Sequence, residues 1–201
     1  FNGDGEEYAG VLESAARGGI VRLQERHEVA RESPLAIVLA QGVSSGERMD
    51  YTLQKAVELG VAAIRPVMMR RTVVRLEGDK RARRQAHWQG VAMSACEQCG
   101  RAVLPEVAEI ADFPDWLARL RQEDATRFLL DPQGKSRLRD LPPPAGEVLL
   151  LAGPEGGVDP AERDAALAAG FIPLRLGPRV LRTETAAVAV LAAMQALWGD
   201  G

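Results

Sequence analysis

Two apolar runs constrain the fold more than any other feature of this chain. Leu35–Leu39 and Val148–Ala152 each place apolar residues at every position, with no polar side chain on either alternate. Successive side chains of an extended segment point to opposite faces, so strands of this kind are buried on both sides. That burial is found where helices cover both faces of a mainly parallel sheet.

The intervening segments obey the same plan. "ERMDYTLQKAVELG" carries Met49, Leu53, Ala56 and Val57 on one stripe and stops at Gly60, which predicts a helix. "VAAIRPVMM" predicts a strand, "RRQAHWQGVAMSACEQCG" and "FPDWLARLRQE" helices, and "RFLLD" another strand before a polar, proline-rich loop. In "DPAERDAALAAG", Asp159 is placed as N-cap, Pro160 at the first position, Glu162 at the capping-box spacing and Gly170 as the stop. "FIPLRLG" predicts the last strand and "LRTETAAVAVLAAMQALW" the last helix, with Thr183 as its N-cap. The result is an α/β domain over residues 33–201. Residues 1–32 read differently, as a small β meander too short to close a barrel, bounded by Ser33-Pro34. The chain opens on Phe1, and "FNGDG" reads as an interior segment of a longer protein.

Bulk properties exclude several classes. A net charge of −3 gives no global positive field for nucleic acid, although a local basic surface remains compatible with it. No apolar run approaches the roughly 20 residues that span a bilayer, and the start does not read as a signal peptide. Cys96 and Cys99 form one C-x-x-C pair, half of a structural zinc site, and His27 and His87 do not complete it. The pair closes a helix instead of opening one, so no metal is expected, and the cysteines read as structural or incidental in a reducing cytoplasm. His87 and Trp88 are expected as core and helix-surface residues, not as ligands.

The chemistry concentrates after the last two strands. "VLLLAGPEGGVDPAE" is a buried strand, a glycine-bearing loop and a helix, the place where ligands collect in open α/β sheets. The loop is neither a Walker P-loop nor a G-x-G-x-x-G fingerprint, which argues against phosphate binding. "LGPRVLRTETA" supplies a second such loop, with Arg182 and Glu184 at the mouth of the last helix. Simple capping accounts for Thr183 and Glu184 but leaves Arg182 without a reason. "MMRRTVVRLEGDKRARRQ" gathers basic residues, a solvated face or an RNA-facing patch, and the scarcity of aromatics argues against a base-stacking platform.

"AGPEGGVDPAE", "LGPRVLRTETAA", "RMDYTLQKAVELGV" and "ACEQCGRAVLPEV", in this order, resemble the RsmE family of 16S ribosomal RNA methyltransferases. That family belongs to the SPOUT class of knotted, S-adenosylmethionine-dependent enzymes. The resemblance covers the chain after Ser33, and "FNGDGEEYAGVLE" is similar to the later part of the PUA-like barrel that precedes the catalytic domain. It implies a SPOUT-type domain with a C-terminal trefoil knot, behind a partial RNA-binding barrel in residues 1–32. It implies a cytoplasmic homodimer that methylates N3 of one uridine in the decoding region of the assembled small ribosomal subunit. The cofactor would contact Leu130, Leu151, Ala152, Gly153, Pro154, Gly157, Leu176, Gly177, Val180, Leu181, Arg182 and Thr183. Arg48, Lys55, Arg70, Arg71 and Arg101 would face RNA. Arg182 would stabilise charge on the uracil; Glu184 would accept the N3 proton or lock Arg182; Glu155 would assist proton removal or hold its loop. The apolar last helix would contribute to the dimer. A ribose or tRNA methyltransferase of the same class and a non-catalytic RNA-binding factor are the alternatives. "LRTETA" speaks against the ribose enzymes, which carry Ser-Leu-Asn there.

Overall fold

The computed structural model describes residues 1–14, 18–120 and 125–201. Its main sheet is parallel, in the order β5 (Glu106–Val107), β4 (Ala63–Met68), β3 (Ile37–Gly42), β8 (Val148–Ala152), β7 (Thr126–Leu130), β9 (Ile172–Leu174), with β6 (Ala111–Asp112) also on β4. The two apolar runs account for the centre of this order. β3 and β8 pair directly, Leu39 opposite Leu150, and both are buried throughout.

Alternation along these strands sorts the core into two layers. Ile37, Leu39, Val148, Leu150, Phe128 and Leu130 face one side, covered by α1 (Gly46–Glu58), α2 (Asp79–Cys99) and α5 (Thr183–Trp198). Val38, Ala40, Leu149, Leu151 and Leu129 face the other, covered by α3 (Phe113–Ala118) and α4 (Pro160–Ala168) with Phe113, Trp116 and Phe171. The predicted α/β plan is thus the observed one. The helix read over "FPDWLARLRQE" ends at Ala118, and its predicted tail at 121–123 lies outside the described residues. Trp88 is core, while His87 is exposed on α2 and meets Asp50 at 3.0 Å.

After β9 at the sheet edge, the chain runs back to lay α5 beside α1. Buried Ala187, Val190, Leu191 and Met194 hold it there, and Gln195 Nε2 donates to the Leu59 carbonyl at 2.8 Å.

Residues 1–32 form an antiparallel hairpin of β1 (Glu6–Ser14) and β2 (Ile20–Glu28); positions 15–17 at its tip lie outside the described residues. The meander is thus a two-stranded ribbon that leaves Leu12, Ile20 and Leu23 more than half exposed. It joins the main domain at residues 100–104, where Gly5 N–H donates to Ala102 O and Leu104 N–H to Gly3 O, each at 3.0 Å.

Arg101 stands at this junction, and its predicted place at an RNA surface is corrected. It is 5% exposed. Its guanidinium donates to the Val57 and Val61 carbonyls at 2.9 and 3.0 Å and to Glu32 Oε2 at 3.0 and 2.5 Å. A cation so enclosed closes the end of α1 onto the linker from the hairpin. Cys96 is buried nearby, its thiol pushed up to about 11 by burial, as expected of a structural cysteine. Replacing Arg101 by Ala leaves two carbonyls and one carboxylate without their donors, and should lower unfolding free energy by about 2–3 kcal/mol in denaturant titration. The salt dependence of RNA binding should not change.

Candidate active site at the carboxyl ends of the strands

The carboxyl ends of β7, β8 and β9 open into a cavity of about 660 Å3. Of the predicted cofactor contacts, Leu130, Ala152, Gly153, Pro154, Gly157, Leu176, Gly177, Val180, Leu181, Arg182 and Thr183 line it. Leu151 does not. Its side chain takes the opposite alternate of β8 and is fully buried against the α3–α4 face.

The loop after β8 is held from three sides. Its Pro154 lies so close to the end of β3 that a Cβ on Gly42 would fall 2.5 Å from the proline nitrogen. A Cβ on Gly156 would fall 2.7 Å from the carbonyl oxygen of Arg71, in the turn after β4. From α5, Thr183 Oγ1 donates to the Gly153 carbonyl at 2.5 Å and accepts from Gln41 Nε2 at 3.0 Å. Thr183 is therefore not the N-cap. Arg182 occupies that position without a side-chain capping bond, and the threonine hydroxyl turns inward to the loop.

Glu155 supplies the remaining anchor. Its Oε1 accepts from Ser45 N–H at 2.7 Å, Ser45 Oγ at 2.5 Å and Arg48 Nη1 at 3.2 Å. Burial pushes this carboxyl up, but the bonds from the Ser45 hydroxyl, backbone N–H groups and Arg48 outweigh it and hold it below the usual glutamate range. A carboxylate kept ionised this way holds the loop and is a poor proton acceptor.

Of the three predicted catalytic residues, Arg182 and Glu155 line the cavity and Glu184 does not. The expected lock between Glu184 and Arg182 is absent among the described residues. Glu184 faces Arg48 instead, at 3.9 Å, because Arg48 on α1 reaches across to both carboxylates. The second oxygens of Glu155 and Glu184 are buried without a hydrogen-bond partner among the described residues. Arg182 is exposed and likewise carries no ion pair there.

Among the remaining predicted RNA contacts, Arg70 and Arg71 are exposed beside the loop, within 3.9 and 3.7 Å of Asp159. Arg48 is half-exposed at the glutamate pair, and Lys55 is engaged by Glu58 at 2.7 Å. Asp159 caps α4 as predicted, accepting from Ala161 N–H at 3.1 Å. Glu162 does not complete a capping box. It is buried, and its Oε1 accepts from Arg70 N–H at 2.9 Å.

Residues 31–195 match the RNA methyltransferase domain family. Over 169 residues the chain is 37% identical to ribosomal RNA small subunit methyltransferase E of Buchnera aphidicola subsp. Schizaphis graminum, covering 84% of this chain and 68% of that protein. The chain belongs to the small subunit methyltransferase E family. The crystal structure of the family member from Neisseria gonorrhoeae, bound to S-adenosyl methionine, superposes with a TM-score of 0.92 at 40% identity. That match covers all of this chain and 82% of the other. The SpoU methyltransferase AviRb of Streptomyces viridochromogenes shares the fold alone, at 16% identity and a TM-score of 0.50, over 80% of this chain and 58% of its own.

Within this family member, four contributors escaped the sequence. Gln41 and Ser45 act on the loop from a strand end and a helix start far away in the chain, although a glutamine closing an apolar strand was a usable signal. Asp131 and Arg163, paired at 2.7 Å on the cavity wall, lie in separate elements with no shared motif.

Two outcomes follow for the loop. Thr183→Val should cost about 1–3 kcal/mol of stability, since the buried Gly153 carbonyl loses its short hydroxyl donor and keeps only the 3.4 Å bond from Gln41 Nε2, and Thr183→Ser should restore most of it. Glu155 should contribute stability fully above the ordinary glutamate pKa of about 4.3, losing it only as pH falls through its lower folded value. The stability difference between wild type and Glu155→Gln, by denaturant titration, should therefore be flat from pH 8 to about pH 5 and shrink at more acid pH.

Proposed function

We propose that the protein transfers a methyl group from S-adenosylmethionine to N3 of one uridine in the decoding region of 16S rRNA, acting on the assembled small ribosomal subunit. The observation that carries this reading is an arginine, Arg182, that has no anionic partner among the described residues and stands at the rim of a strand-end cavity in a member of this family. The cavity's residues suit the cofactor. Its volume lies within the range of roughly 300–1,000 Å3 usual for small-molecule sites, with leucine walls and open backbone at Gly153 and Gly177. When bound, the cofactor supplies an electrophilic methyl group on a sulfonium.

The remaining chemistry falls to the chain. Uracil N3 carries a weakly acidic imide proton and must lose it to become nucleophilic. Arg182 stabilises the resulting negative charge through planar donors that match the two flanking carbonyls. Glu155 holds the loop. Glu184, near the start of α5, has one buried carboxylate oxygen without a hydrogen-bond partner among the described residues and is the proton acceptor in this reading. Arg48, Arg70 and Arg71 stand on the rim as phosphate contacts, and the uridine must leave its stack to reach the cavity.

The same reading takes the C-terminal segment as a trefoil knot, supported by the return of α5 from the sheet edge to α1. It makes the molecule a cytoplasmic homodimer through the outward side of α5, where Ala192, Ala196 and Leu197 are exposed. Residues 1–32 belong to an RNA-binding, PUA-like barrel and residues 33–201 to the catalytic domain.

Labelled S-adenosylmethionine should deliver N3-methyluridine, identified by mass spectrometry, to small subunits lacking that modification. Arg182→Ala should reduce the rate at least a hundredfold. Glu184→Gln should lower kcat more than KM and flatten the acid limb of the pH–rate profile. Label on ribose or in tRNA would reject the proposed target.

A further inference from the structure

The charge around the cavity mouth is unevenly matched. Arg163 is neutralised by Asp131 at 2.7 Å and Asp164 at 3.8 Å, and Arg71 approaches Asp159 at 3.7 Å. The segment from Leu174 to Thr183 also lines the cavity, and its Arg175 and Arg179 are exposed. Among the described residues, neither has an ion pair or side-chain hydrogen bond. A third cation stands beside them. Arg175 N–H donates to the Ser136 carbonyl at 2.9 Å, and Ser136 bridges to Leu174, so exposed Lys135 lies next to this wall.

Two unmatched arginines thus stand together at the cavity mouth of a chain whose net charge is −3. Their mutual repulsion is uncompensated among the described residues, so an external polyanion is favoured there. A single carboxylate on a small molecule in the cavity would engage at most one of the guanidinium groups bidentately. Several cations along the mouth suit a chain of phosphates better than one anion.

We propose that Lys135, Arg175 and Arg179 form a phosphodiester track that holds the RNA strand on one side of the target nucleotide, while Arg71 holds it on the other. This rests on the RNA methyltransferase reading above. The strand then crosses the mouth with the target base directed inward to Arg182. The track supplies affinity and register without reading sequence, since phosphates carry none. It also explains why the segment after β9 holds arginines whose side chains bond to nothing among the described residues.

The test compares wild type with the Arg175→Ala/Arg179→Ala double variant and its Arg175→Lys/Arg179→Lys counterpart, in the full-length protein. Cofactor affinity is measured by calorimetry with S-adenosylmethionine. RNA affinity is measured by filter binding to undermethylated small subunits across a series of salt concentrations. The alanine variant should keep cofactor affinity within about twofold and bind subunits roughly tenfold more weakly. Its slope of log affinity against log salt should shrink by about 1.4, two phosphates at roughly 0.7 each for single strands. The lysine variant should recover the slope. Weakened cofactor binding with an unchanged slope would overturn the track and assign the arginines to the cofactor; no change in either would overturn it outright. Wild type that binds no subunits would instead fail the functional reading on which the track stands.

Discussion

The structure depends on one buried hydroxyl. Thr183 Oγ1 joins the Gly153 carbonyl at the end of β8 to the Gln41 amide at the end of β3, and it does so from the first residue of α5. Gln41 is fully buried, and its Nε2 also meets the Gly42 carbonyl at 3.0 Å. Three segments distant in sequence thus share one polar node inside an apolar core. Unpaired polar groups at that depth are costly, so the node fixes where α5 begins relative to the sheet. Because Arg182 immediately precedes this residue, the cation inherits its position from the node and needs no bond of its own.

A second consequence concerns how the two walls of the cavity are related. The turn after β4 is tied to the loop after β8 by the close approach at Gly156 and by the bond from Arg70 N–H to buried Glu162. The start of α1 is tied to the same loop through Ser45 and Glu155. Residues that face RNA in the proposed function, Arg48, Arg70 and Arg71, therefore sit on backbone that is clamped to the cavity loop. Backbone bonds to buried carboxylates leave little room for the arginine turn to move independently of that loop.

The plan of the fold was legible because it rests on local pattern. Continuous apolar runs identify β3 and β8 as central, and the stripe of Met49, Leu53 and Val57 identifies the buried face of α1. The cavity loops were legible as motifs. Polar partnerships were not, because side chains choose partners through space. Thr183 and Glu162 both had the spacing of capping residues, yet each found a buried acceptor or donor on another segment and took that instead. Arg101 matched a position of the family's motifs but is enclosed by the carbonyls of Val57 and Val61. A charge read from sequence carries no information about depth.

Charge at the site divides by function once depth is known. Where a cation has a local carboxylate, as Arg163 has Asp131 and Arg101 has Glu32, the pair fixes structure and its field beyond a few ångströms is small. Where a carboxylate receives several donors, as Glu155 does, it is held ionised and lost to proton transfer. Groups left over from both arrangements retain an outward field or an open oxygen. At this cavity they are Arg175, Arg179 and Arg182 on the cationic side; the second oxygen of Glu184 lies outside the lining, buried without a hydrogen-bond partner among the described residues. An imide that must lose a proton while its strand carries a phosphate on either side needs groups of both kinds, placed apart so that they do not neutralise each other. Arg48 on α1, at 3.9 Å, is the cation that Glu184 faces among the described residues, in place of Arg182.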